Sequence, residues 1–92
     1  MKKHFTILGL IVLSAGCAAR PTPIPDGSSP DASLYAARCG ACHSVPHPGR
    51  HTAEQWEHMV DVMEKEMKHR NMTPLTPEEK ETILGYLTRN AR

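Results

Sequence analysis

Cys39-Gly40-Ala41-Cys42-His43 constrains this chain more than any other stretch. The pattern is C-x-x-C-H, the attachment signature of a c-type haem. Two thiols three positions apart on one helical turn can each form a thioether with one vinyl group of the macrocycle. The histidine that follows stands where an imidazole nitrogen reaches the iron from one side. The opposite side then needs a sixth ligand or stays open. Everything after His43 reads as a way of covering that other side.

Other chemistries use parts of the same pattern. A thioredoxin-like C-x-x-C belongs to a βαβ context, and no strand-helix alternation is visible here. A zinc finger needs a second pair of ligands. His47 and His51 are four apart, but no second C-x-x-C or completed finger accompanies them. Haem attachment is the reading that uses all three motif residues.

The N-terminus points to export. Met1-Lys2-Lys3-His4 is a positive n-region, and Phe5 to Leu13 is an apolar stretch too short for a membrane span. Leu13-Ser14-Ala15-Gly16-Cys17 resembles a bacterial lipoprotein signal, cut before the cysteine that then carries lipid. Ser14 departs from it, standing three before the cysteine where Leu is usual, and a plain secretory signal is the alternative. Ala18 after the cysteine favours the outer membrane over the inner. The cysteines are then accounted for: Cys17 for lipid, Cys39 and Cys42 for haem, none for a disulfide. Export also suits a c-type haem, which is attached outside the bacterial cytoplasm.

Lys2 and Lys3 are two of the eleven Lys/Arg, which leaves nine against ten Asp/Glu from Cys17 onward. No basic stripe suggests nucleic acid. Paired catalytic carboxylates, a nucleophile-base pair and a phosphate loop are not visible either, so no enzymatic activity of its own is expected.

The chain divides into residues 1–16 as signal peptide, 17–30 as a Pro/Ser-rich tether and 31–92 as the folded domain. Residues 18–30 (AARPTPIPDGSSP) hold little to bury and read as an extended tether. Asp31 or Ser33 is expected to cap a first helix carrying Leu34, Tyr35 and Cys39. Gly40 and Ala41 are small, as a macrocycle lying against the backbone requires. Val45 to His51 reads as loop, with Pro46, Pro48 and Gly49 breaking any helix. The Pro46 carbonyl is placed to accept from the His43 Nδ1. Thr52-Ala53-Glu54-Gln55 is a capping box opening a helix to about Lys68 or Arg70. Trp56, Met59, Val60, Met63 and Met67 share one face of it, and Asp61–Lys65 and Glu64–Lys68 have ion-pair spacing. After a loop around Met72, Thr76 caps a last helix with Pro77 at its first position. Ile83, Leu84 and Leu87, with Tyr86 beside them, form its apolar face, and it is expected to fray from Thr88 to Arg92.

The run Leu34-Tyr35, Cys39 to His43, Thr52 to Trp56, Met63, Leu75 to Glu79 and Ile83 to Leu87 resembles small class I-like monohaem cytochromes c, from Asp31 to the C-terminus. The resemblance implies an all-α fold of about three helices around one covalently bound haem c. It also implies crossed first and last helices, iron held by His and Met, and one-electron transfer with periplasmic or membrane redox proteins. Cys39 and Cys42 hold the macrocycle and His43 binds iron. Met63, seven after Trp56, resembles the helix methionine of short members. Met72 resembles the Met-Pro loop ligand, with Thr73 intervening, and is the alternative. Met67, a histidine or an open position stand behind these two. Met59 and Met67 read as core filler, and Trp56 as a core residue at the haem edge. His47, His51, His58 and His69 read as surface or loop residues, with His51 able to approach a propionate. A five-coordinate haem that binds a small gas and a haem subunit of a larger redox enzyme are the alternative functions.

Overall fold

The computed structural model describes residues 22–41 and 43–92. They form α1 (Pro30–Cys39), a single 3₁₀ turn (Pro48–Arg50), α2 (Ala53–His69) and α3 (Pro77–Arg89). No strand occurs among the described residues, as the helix-period patterning predicts.

α1 starts earlier than expected. Ser29 is its cap, accepting from the Ala32 N–H at 3.2 Å. Pro30 is the reason: its fixed φ and missing N–H suit the first helical position, which puts the cap at the residue before it, two positions upstream of Asp31. At the other end the Gly40 N–H donates to the Ala36 carbonyl at 2.9 Å. A Cβ at Gly40 would overlap that same carbonyl oxygen. Gly40 is therefore required by the helix end itself, a reason separate from the macrocycle.

α2 has the expected capping box, with the Gln55 N–H donating to Thr52 Oγ1 at 3.2 Å and the Thr52 N–H to Gln55 Oε1 at 2.9 Å. α3 has a second box between Thr76 and Glu79. The C-terminus does not fray at Thr88. Asn90 Nδ2 donates to the Tyr86 carbonyl at 2.9 Å and the Arg92 N–H to the His51 carbonyl at 3.2 Å.

α3 packs against both α1 and α2. Ala32, Tyr35, Trp56, Val60, Ile83, Tyr86 and Leu87 form one buried cluster. Tyr35 is its centre, edge-on to Trp56 with centroids 6.3 Å apart and tilted against Tyr86 at 5.7 Å. Such aromatic pairs add attraction beyond the area they bury.

Three expectations are corrected. Asp61 and Glu64 pair with Lys80 of α3, at 3.1 and 2.7 Å, rather than with Lys65 and Lys68 of their own helix. The packing of α3 beside α2 brings that cation across, and the two carboxylates hold its ammonium above the ordinary value. The folded part also begins before residue 31. Ile24 packs against the core, and the Tyr86 hydroxyl donates to the Pro25 carbonyl at 2.7 Å. A buried phenol needs an acceptor, and the incoming chain supplies it. Pro48–Arg50 forms one 3₁₀ turn where only loop is expected, with His47 Nδ1 accepting from the Gly49 N–H at 2.9 Å. Among the described residues no helix is long and apolar enough to cross a membrane.

Candidate haem site

Where α1 ends, two adjoining cavities open between α1, Ala41, the 43–46 segment and α2. The larger, of about 200 Å³, includes Arg38, Ala41, Glu66, Met67, Arg70 and Met72 in its wall. The smaller, of about 100 Å³, includes Tyr35, Pro46, Trp56, Met59, Val60 and Leu87 and is almost wholly apolar. Cys39, His43 and Met63 line both.

Cys39 is the last residue of α1 and half-buried. Burial pushes its thiol up, and the Arg38 guanidinium opposes this. His43 is exposed, its Nδ1 lying 2.9 Å from the Ser44 carbonyl. Met63 is half-buried on the α2 face that also carries Trp56 and Val60. Met72 lies in the segment after α2 and reaches only the larger cavity. Met67 is buried and lines the larger cavity; Met59 lines the smaller. Cys42 and Cys17 lie outside the described residues.

The Pro46 carbonyl is not the partner of His43. It accepts from the Tyr35 hydroxyl at 2.7 Å. Tyr35 is 1% exposed, so its hydroxyl needs a protein acceptor, and the 45–47 segment passes within reach. His51 meets the Trp56 ring edge-on at 4.7 Å. Trp56 Nε1 donates to the Pro48 carbonyl at 2.6 Å. These contacts pin the segment after His43 to the core from two directions. Sequence patterning missed both Tyr35 and Arg38 as site residues, because their partners are not at helical spacing.

Burial raises the Tyr35 phenol well above its ordinary range, with smaller contributions from negative charge on Cys39 and Tyr86. The sign of the consequence follows from proton linkage. Below the ordinary phenol range both folded and unfolded chains keep the proton, so the contribution of this group is fully present and does not change with pH. Above it the unfolded chain loses the proton first, and stability falls as pH rises toward the elevated folded value. Tyr35→Phe is expected to cost about 1 kcal/mol at neutral pH through the lost hydrogen bond and to remove this part of the alkaline fall. Denaturation midpoints against pH for both proteins measure it; parallel alkaline limbs would refute the assignment to Tyr35.

The donor set fits a c-type haem. A thiol, an imidazole and a thioether share the walls of both cavities, the smaller of which is otherwise apolar, and these are the side chains that hold such a macrocycle and its iron. A family model described as "Dihaem cytochrome c" matches residues 35–92. The chain belongs to the dihaem cytochrome c family. The match starts at Tyr35 and takes in the haem motif, α2 and α3. No curated protein and no solved structure matches the chain. Membership makes this a cytochrome c-like protein of haem-based electron transfer, with haem c as its cofactor. The 92 residues contain one C-x-x-C-H.

Proposed function

We propose that this member of the dihaem cytochrome c family is a one-electron carrier with a single haem, exported and held to the membrane by lipid on Cys17. The observation that carries the reading is the shared wall of Cys39, His43 and Met63 in both cavities. Bound haem supplies an iron that exchanges one electron between two oxidation states. Cys39 and Cys42 would hold the macrocycle by thioethers, and His43 and Met63 would bind its iron. Met63 is preferred to Met72 because Met63 borders both cavities and Met72 one. A thioether paired with an imidazole would raise the potential of that iron. Val60, Trp56 and Leu87 give the smaller cavity apolar walls. The domain has no catalytic residues of its own in this reading, and its partners are periplasmic or membrane redox proteins.

A second reading, a haem domain within a larger redox assembly, draws on the family's description. That description names two haems, against one attachment motif here.

The test is the absorption spectrum of haem-loaded protein, ferric and ferrous, for wild type, Met63→Ala and Met72→Ala, with intact mass to count haems and to locate lipid. One haem per chain is expected, with a ferric far-red Met–iron band that Met63→Ala loses and Met72→Ala keeps. Loss of the band only in Met72→Ala overturns the ligand assignment. A high-spin wild type that takes up carbon monoxide rapidly overturns the carrier reading in favour of a gas binder.

A further inference from the structure

Arg38, immediately before Cys39, is held by two parts of the chain far from it in sequence. Its Nη2 donates to the Thr73 carbonyl at 2.6 Å. Its Nε faces Glu79 Oε2 at 3.4 Å. That Nε is closed off from solvent and makes no hydrogen bond, so the contact with Glu79 is an ion pair without hydrogen-bond geometry. The other Glu79 oxygen accepts from the Thr76 N–H at 3.0 Å. One carboxylate therefore serves both the α3 cap and Arg38.

Thr73 directly follows Met72. The Met72 N–H donates to the Met67 carbonyl at 2.9 Å, and Asn71 at φ 55 turns the chain there. Met72 is thus fixed from one side by the end of α2 and from the other by Arg38. Arg38 and Met72 both line the larger cavity with Cys39, His43 and Met63.

We infer that Arg38 is a positioning residue, a strap that holds the 71–76 segment in the wall of the haem site and keeps its methionine side closed. The inference rests on the reading of Cys39 to His43 as the haem site. A planar guanidinium can serve a carbonyl and a carboxylate at once from a single fork. A charge-assisted hydrogen bond gives the strap its strength. A lysine keeps the charge but not the fork.

The test compares haem-loaded wild type, Arg38→Lys and Arg38→Ala by hydrogen exchange at the Met72 amide, carbon monoxide uptake by the ferrous protein, and midpoint potential. Both variants are expected to speed Met72 exchange on the order of tenfold and to take up carbon monoxide faster. Arg38→Lys is expected to stay nearer the wild-type potential, because the charge remains. Wild-type exchange and uptake in Arg38→Ala would overturn the strap. So would full restoration of both by Arg38→Lys, which would show that charge alone matters. If Arg38→Ala does not take up haem, Glu79→Gln carries the test. It keeps an amide oxygen for the Thr76 cap and removes the anion, and unchanged Met72 exchange in it overturns the inference. A wild type without a Met–iron band would defeat the Met63 assignment, while Met72 exchange would still report on the strap.

Discussion

Cys39→Ser combined with Cys42→Ser, expressed with the same export signal, is expected to yield a chain without covalent haem that has lost its cooperative unfolding transition. Its helical circular dichroism should fall to less than roughly half that of the haem-loaded protein, since a core this small is marginal on its own. Among the described residues the buried hydrophobic core is eight side chains: Ala32, Tyr35, Trp56, Val60, Met67, Ile83, Tyr86 and Leu87. Around them Leu34, Cys39, Val45, Met59 and Leu75 are only partly covered. Several of the remaining apolar surfaces, Met59, Met63 and Pro46 among them, face the smaller cavity. In the proposed reading, haem is the group that would cover these surfaces. An apo chain that unfolded cooperatively at the same denaturant midpoint would show that the three helices carry the fold without it.

Trp56→Ala is expected to remove roughly 3–5 kcal/mol from the haem-loaded protein, the usual range for truncating a buried large aromatic. A domain of this size holds on the order of 5 kcal/mol in total, so little stability would remain. Three losses combine at this position. The indole fills the junction of α1 and α2 against Tyr35. Its N–H holds the Pro48 carbonyl, and its ring supports His51. Trp56→Phe separates them. It keeps most of the apolar volume but drops the hydrogen bond, and is expected to cost about 1–2 kcal/mol with the 3₁₀ turn loosened. Guanidinium chloride unfolding followed by circular dichroism gives both numbers. A loss under 1 kcal/mol in Trp56→Ala would mean that Trp56 is not a core residue in the haem-loaded protein.

Both variants probe features with unequal visibility in the sequence. α2 and α3 are legible because their signals are local. Thr52 with Gln55, and Thr76 with Pro77, mark the starts, and the apolar spacing from Trp56 to Met67 marks a face. The candidate site residues Cys39 and His43 stand out in the sequence because thioether attachment demands a fixed short spacing. What stays hidden is held by partners remote in sequence. Arg38 reaches Thr73 across 35 residues, and Tyr86 reaches Pro25 across 61. Neither separation leaves a periodic trace. Tyr35 reads as an apolar helix position, and so it is. Its hydroxyl nevertheless selects the Pro46 carbonyl, a choice that only the packed core determines. Lys80 likewise reads as a surface cation until α3 is laid beside α2 and two carboxylates meet it.

The bond from the Tyr86 hydroxyl to the Pro25 carbonyl sets a limit on reach. With the incoming chain fastened at Pro25 and Ile24 packed on the core, only seven peptide steps separate Cys17 from Ile24. Fully extended, they span at most about 25 Å. A lipid on Cys17 would therefore hold the haem domain at the headgroup surface, within about one helix length of it. Electron exchange from that position would select partners whose own redox centres lie low, close to the plane of the bilayer. Cutting the Tyr86 bond, which frees Pro25 and the turn after it, would lengthen the leash and widen that choice.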